Sequence, residues 1–146
     1  MDSRIAADSY LSASQTVTIG TTSQFEEIAG TNWLSTVQDR FTTSTAGVVT
    51  YNGERDVELK ISGFVTVSKS GGGADELEIR FAKNWVALDA GLVQSGGTTE
   101  AAAPTSVPLE ALIDITTGDT IRMIVANNGS TANVVVDKAS FVIVGA

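Results

Sequence analysis

The acidic side chains are the groups of this sequence that could most readily do chemistry. The chain contains no histidine and no cysteine, so a Ser–His or Cys–His relay and the usual zinc ligand sets are excluded. Asp75, Glu76 and Glu78 follow the segment SGGGA, and Asp114 and Asp119 flank a turn. Paired carboxylates hydrolyse glycosidic bonds, so a carboxylate-based glycosidase is the enzyme class to consider.

The spacing of these acids favours a structural role instead. Glu76 and Glu78 alternate with apolar residues between positions 77 and 81, as expected for the solvated face of a strand. The loop acids lack the D-x-D-x-D-G spacing of a calcium site, and Gly71–Gly73 is not followed by the Lys-Ser/Thr pair of a phosphate-binding loop. We therefore predict no catalytic residues, no metal and no cofactor, and expect that the protein is not an enzyme.

Charge and hydropathy exclude two classes of partner. The 17 acidic residues outnumber the 9 basic ones, the net charge is -8, and the basic residues form no stripe along the sequence. Binding to a nucleic-acid backbone needs clustered Lys and Arg, so no nucleic-acid partner is expected. No apolar run approaches the length of about 18 residues that a membrane helix needs, and the first residues do not resemble a signal peptide. The sequence thus predicts a protein made in the cytoplasm, with no membrane partner.

The elements that position these side chains read as short alternating strands. In the segment from position 56 to 68, Leu59 and Ile61 lie on one face while Glu58 and Lys60 lie on the other, and Gly63 indicates a bulge or bend midway. This pattern is typical of an antiparallel sheet with one face in water.

Turn signals separate the strands. Asn52–Gly53 is the strongest short hairpin signal, and Pro108 restricts its segment to an edge strand or a strand start. The run Ile121–Ala126 is a strand between a turn at Gly118–Asp119 and a second turn at Asn127–Ser130.

The two tryptophans have two readings. Trp33 and Trp85 each follow an asparagine, and an exposed tryptophan can stack on a sugar. A buried tryptophan instead anchors a core or an interface, which is the reading we favour for both.

The counted strands define the fold class. About eight to ten strands, with turns every 8–12 residues and no helix with an apolar stripe, predict an all-β protein. The expected architecture is an antiparallel two-sheet sandwich of the jelly-roll type, formed by a single domain over residues 15–146.

Residues 1–14 are predicted to form a short N-terminal arm outside this sandwich. Ile5, Tyr10 and Leu11 are spaced apolar residues in an otherwise polar stretch, and such residues need to be buried against something. We expect the arm to contribute little to the core and to bind a partner through these three side chains.

Apolar residues on both faces of the last strands predict a further subunit. A strand that is apolar on both faces is covered on both sides, and in so small a sandwich one cover can be another copy of the chain. Ile124, Val135 and Phe141 are the candidate interface residues by this criterion.

The order of the strand motifs resembles a known family. The segments GVVTYNG, VELKISGFVTVS, LEIRFAKNW, VPLEALIDITTGDTIRMIVANN and ASFVIV resemble the trimeric jelly rolls of the tumour-necrosis-factor and complement C1q type, in the versions that tailed phages carry on their virions. The resemblance covers roughly residues 25–144 and brings no catalytic residues with it.

This resemblance implies a homotrimeric virion protein. The first expectation is a head decoration, or cement, protein on the outer capsid surface, made in the host cytoplasm and bound to the major capsid protein. The alternative is a fibre head or adaptor that binds a host receptor or a glycan.

Overall fold

Two β-sheets make up the computed structural model, which describes residues 4–71, 75–88, 94–99 and 104–145. Within these ranges the chain forms fourteen strands and no helix, and no segment could cross a membrane as a helix. The strands are β1 (Ala6–Leu11), β2 (Gln15–Val17), β3 (Glu26–Glu27), β4 (Trp33–Leu34), β5 (Gln38–Asp39), β6 (Phe41–Thr43), β7 (Val49–Tyr51), β8 (Val57–Lys69), β9 (Asp75–Lys83), β10 (Val86–Ala87), β11 (Gln94–Thr99), β12 (Thr105–Ile115), β13 (Thr120–Asn127) and β14 (Val134–Gly145).

The sheets are antiparallel and have a similar plan. The first sheet has the order β12-β8-β14-β1-β4, with β2 also pairing with β14 and β5 with β1. The second sheet has the order β10-β9-β13-β7-β6, with β11 also pairing with β9 and β3 with β13. The predicted fold class, an all-β antiparallel two-sheet sandwich, is therefore confirmed.

The core lies between the two sheets and follows from alternation. In β9, Leu77, Ile79 and Phe81 are buried, as predicted, because every second residue of a strand points to the same face. Phe141 of β14 lies in the middle of this core. Its ring centroid is 6.0 Å from that of Trp33 and 5.5 Å from that of Phe81, both at edge-to-face angles.

The Asn52–Gly53 turn connects the two sheets instead of forming a hairpin. Asn52–Gly53 was expected to join two paired strands, and this prediction is wrong because β7 belongs to the second sheet and β8 to the first. The turn wraps around the buried Tyr51, whose hydroxyl donates a hydrogen bond to the carbonyl oxygen of Arg55 at 2.8 Å. A side chain at Gly53 would collide with the Tyr51 ring, so glycine is required here for space.

Gly63 also has a packing role, not the predicted one. The pairing of β8 with β14 runs without interruption across Gly63, and its register shifts only between Val136 and Lys138. A Cβ atom at Gly63 would lie 2.7 Å from the Cβ of Phe141. The glycine therefore makes room for the central aromatic ring. Pro108 does lie in an edge strand, β12, as predicted.

The prediction of an N-terminal arm is wrong for the residues from position 4 onward, and Met1–Ser3 lie outside the described residues. Strand β1 lies inside the first sheet, between β14 on one side and β4 and β5 on the other. Leu11 is buried, Ile5 packs against the core and Tyr10 is half-buried, so all three contact their own chain. The Asp8 carboxylate accepts hydrogen bonds from the backbone N–H groups of residues 36 and 37 at 2.7 and 2.8 Å, which fixes the neighbouring loop to β1.

Shortening the central aromatic side chain should destabilise the sandwich. We expect Phe141→Ala to lower the free energy of unfolding by about 3–5 kcal/mol, because it leaves a cavity between the sheets. The matched control is Val86→Ala at an exposed position, for which a change within about 0.5 kcal/mol is expected. Urea unfolding at one fixed protein concentration measures both, and equal effects would contradict the assigned core.

Candidate interaction surface

The outer face of the first sheet carries exposed apolar side chains. Phe64 of β8, Leu112 of β12, and Val142 and Val144 of β14 are between 40% and 54% exposed, and Leu34 of β4 is 46% exposed. These five residues are called the apolar face below. Several large apolar side chains exposed on one sheet face mark an interaction site more often than isolated exposed residues do.

The strand register places two residues of the apolar face in one row, whereas Lys60 lies between Leu112 and Val144. Pro108, Phe64, Ser140, Tyr10 and Leu34 are successive partners across five strands. Tyr10, predicted as an anchor of an arm, therefore lies in this row as part of the sheet.

The three predicted interface residues have different positions. Phe141 is fully buried between the sheets, so the prediction that it contacts another subunit is wrong. Ile124 is only 4% exposed and is already covered by its own chain. Val135 is half-buried on β14 and paired with Thr16, and its role at an interface stays a prediction.

Ion pairs and aromatic rings cover the outer face of the second sheet. The Arg122 guanidinium donates to Glu27 at 2.9 Å and lies 3.5 Å from the ring centroid of Trp85. Arg80 is bound to Glu78 at 2.6 Å and lies over the Phe25 ring. This cover explains why β13 is buried on both sides without another subunit.

The hairpin between β9 and β10 presents Trp85 to solvent. Asn84 and Trp85 form its two-residue turn, with φ values of 50° and 71°. Positive φ values at both central residues are typical of the type I′ turn of two-residue hairpins, but they are unusual for a residue as bulky as tryptophan. Asn84 is held by Asp119, which accepts from its Nδ2 at 2.8 Å, and by the Thr120 N–H, which donates to its Oδ1 at 2.9 Å.

The structure separates the two tryptophans. Trp33 is buried and its indole N–H donates to the carbonyl oxygen of Ile28 at 2.9 Å, so the core prediction is confirmed for it. Trp85 is 60% exposed, with one ring face on Arg122, and therefore does not belong to the core.

The acids considered for catalysis have structural partners. Asp119 accepts from the Thr116 N–H at 2.9 Å, and hydrogen bonds from Asn84 and then from Thr116 lower its pKa. The side-chain amide of Asn128 lies 3.3 Å from Glu76 and 3.4 Å from Glu78. Within the described ranges, no group of three or more acidic residues could hold a metal ion.

Asp75 lies in a buried polar cluster that connects the two sheets. Its Oδ2 atom accepts from Lys69 Nζ at 2.7 Å, from Ser130 Oγ at 2.6 Å and from Asn127 Nδ2 at 3.2 Å. The Lys69 side chain and Asn127 have no exposed area. The hydrogen bonds from Lys69 and then Ser130 lower the pKa of Asp75 to about 2. Sequence patterns do not reveal this cluster, because Lys69 and Asp75 are distant from Asn127 and Ser130 along the chain.

Solved structures with a similar fold include proteins of the tumour-necrosis-factor family. The Eiger TNF of S. frugiperda is 14% identical with a TM-score of 0.65, and the alignment covers 98% of this chain and 92% of that one. Murine APRIL is 9% identical with a TM-score of 0.59, over 97% and 100% of the two chains. Rabbit GITRL is 12% identical with a TM-score of 0.50, over 96% and 93%.

These similarities show the fold alone, because the sequence identities are low. The sandwich is a jelly roll of the tumour-necrosis-factor type. No protein-family profile and no curated protein sequence matches the chain.

The lowered pKa of Asp75 predicts a stability change in acid. A carboxylate whose pKa falls from 3.8 to about 2 on folding stabilises the protein above pH 3.8, and this contribution is lost as the pH falls towards 2. We expect the unfolding free energy of Asp75→Asn to fall less steeply than that of the wild type between these pH values. Asp56→Asn, at an exposed position, is the control for removing one carboxylate. Parallel curves for wild type and Asp75→Asn, measured by urea unfolding, would rule out this contribution.

Proposed function

We propose that the protein is a homotrimeric structural protein of a tailed-phage virion that decorates the outer capsid surface. The apolar face supports the homotrimer, since it is the outer sheet surface that the described residues of the chain leave uncovered. The resemblance of the strand motifs to trimeric phage jelly rolls supports the role on the capsid surface.

Association through the apolar face has a clear driving force. Burying an apolar side chain fully stabilises an assembly by roughly 1.5–3 kcal/mol before ordering costs, and a specific interface buries more than about 1,000 Å². The face extends over β8, β12, β14 and β4, so several side chains contribute together. The neighbouring edge strand β12 contains Pro108, which cannot donate a backbone hydrogen bond to an added strand. Subunits are therefore expected to associate by packing the apolar face against a neighbouring subunit, and not by adding a strand to the edge of the sheet.

The partner outside the trimer is proposed to be the major capsid protein. A decoration protein needs binding surface and stability, and it needs no catalytic turnover or cofactor. The acids Asp75 and Asp119 fit this role, because both are engaged in hydrogen bonds that hold turns and strands together. The net charge of -8 supports a protein partner over a nucleic acid.

A fibre head or adaptor that binds a host receptor or a glycan is the second candidate. The exposed ring of Trp85 favours it, because a fixed aromatic ring with one free face is suited to stacking on a sugar or anchoring a protein contact. Arg122 holds the other ring face, so the ring is already oriented.

A charge in the apolar face should prevent assembly. Val142→Asp and Phe64→Asp are expected to give monomers, because a carboxylate in a packed apolar interface loses its hydration without gaining a partner. Val86→Asp, on the β10 side of the second sheet, is the matched control and should keep the trimer. Sedimentation velocity distinguishes a 15.1 kDa monomer from a particle of three times that mass. A wild-type monomer at all concentrations would refute the trimer.

The number of copies on purified virions separates the two roles. Decoration predicts a copy number comparable with that of the major capsid protein, whereas a fibre head predicts the much lower number of a tail component. Quantitative mass spectrometry of the particles measures this ratio.

Removing the Trp85 ring tests the second candidate directly. If Trp85 contacts a receptor or glycan, Trp85→Ala should abolish binding to host cells while leaving the trimer intact, and Trp85→Phe should retain part of the binding. Unchanged cell binding by Trp85→Ala would exclude this role for the residue.

A further inference from the structure

The buried polar cluster brings an amine, a carboxylate and a carboxamide together. We propose that Lys69 and Asn127 become joined after folding by an intramolecular isopeptide bond, with Asp75 as the proton carrier. This inference is independent of the proposed virion role.

The two reacting groups share one carboxylate oxygen. Lys69 Nζ and Asn127 Nδ2 both donate to Asp75 Oδ2, at 2.7 and 3.2 Å. The amine and the amide nitrogen thus lie within hydrogen-bond distance of the same oxygen atom. Attack requires the flexible lysine side chain to rotate so that Nζ moves from this oxygen to the amide carbon. Holding the reactants side by side in this way replaces a bimolecular encounter by a local step.

The carbonyl group of Asn127 is placed to accept a nucleophile. Its Oδ1 atom accepts hydrogen bonds from the backbone N–H groups of Gly129 at 2.9 Å and Ser130 at 3.1 Å. Two backbone donors on one carbonyl oxygen polarise the group and stabilise the negative charge that develops during attack. Gly129 lies so close to Asp75 that a side chain here would collide with its carboxylate, so the turn is packed against the proton carrier.

The bond-forming step balances without an oxidant or a co-reactant. Lys69 transfers a proton to Asp75 along their hydrogen bond, and the neutral amine attacks the Asn127 amide carbon. Asp75 delivers this proton to the departing nitrogen and takes one from the attacking nitrogen. The carbon–Nδ2 bond breaks, ammonia leaves and takes up the remaining proton. One lysine ammonium and one carboxamide thus become one secondary amide and one ammonium ion.

Burial favours this reaction over its competitors. The Lys69 side chain has no exposed area, so water does not compete for the intermediate. Lys69 and Asn127 lie in different sheets and meet only when the sheets are packed, so bond formation should follow folding.

The cross-link would join the sheets at one end of the sandwich. Lys69 ends β8 in the first sheet and Asn127 ends β13 in the second. The chain has no cysteine for a disulfide. A covalent bond between these strands would restrict the unfolded chain as a disulfide does.

Mass spectrometry of the folded wild-type protein tests the proposal. After prolonged incubation its intact mass should be lower by one ammonia than the mass calculated from the sequence. Trypsin should not cut at the modified Lys69, so the digest should contain residues 61–80 joined to residues 123–138. Separate peptides at full mass would overturn the proposal and leave the cluster as a buried ion pair only.

Two variants identify the source of the lost ammonia. Lys69→Arg keeps the positive charge without the primary amine, and Asp75→Asn removes the proton carrier with little change in shape. Both should keep the full mass. The Asn128–Gly129 sequence could also lose ammonia by closing a succinimide on its own backbone. Loss of ammonia that persists in Lys69→Arg, with unlinked peptides in the wild type, would therefore refute the cross-link.

Discussion

The packing of Phe141 between the two sheets is the contact on which the sandwich depends. Its ring meets Trp33 and Phe81 edge to face, and Gly63 on the neighbouring strand leaves the space that it occupies. The strand that carries this ring also pairs with β1, β2 and β8. One strand thus supplies both the centre of the core and most of the hydrogen bonding of the first sheet.

The outer faces of the two sheets differ in how their side chains are partnered, and this difference makes one face of the molecule better suited to association than the other. On the second sheet, Arg122 is held by Glu27 and Trp85, so the buried strand below it needs no other cover. On the first sheet, Phe64 and Val142 remain exposed. Assembly through the first sheet would leave the charged and aromatic surface of the second sheet facing outward.

Strand alternation was enough to predict the two-sheet architecture, because the buried residues along most of β8 and β9 are the apolar ones. The same rule failed for β1, whose inward residues include Ala7 and Ser9. Alanine and serine contribute little to a hydrophobic pattern, so the sequence of β1 resembles that of a polar arm although the strand lies inside the sheet. Asn52–Gly53 was read as a hairpin because a local turn motif does not report which sheet the next strand joins.

The sequence predicts that an apolar strand face is covered, but it does not predict which faces are covered by the same chain. Apolar residues on both faces indicate a cover on both sides, and β13 and β14 satisfy that criterion equally. Whether the cover comes from the same chain depends on distant partners such as Glu27 and Trp85, which no local pattern identifies. The cluster around Asp75 was missed for the same reason, since Lys69 and Asn127 become neighbours only when the sheets are packed.

The pairing of β1 with β14 has a consequence for how the chain reaches this structure. Ala6 is the partner of Val144, so the first and last described strands lie side by side within the first sheet. Closing so long a loop is entropically unfavourable until the contacts it permits have formed. Folding rates fall as contacts become more distant along the chain, so this sandwich belongs to the slow class. On the ribosome, the first sheet can be completed only after β14 has been synthesised, and until then β1 lacks the strand with which it forms most of its pairs.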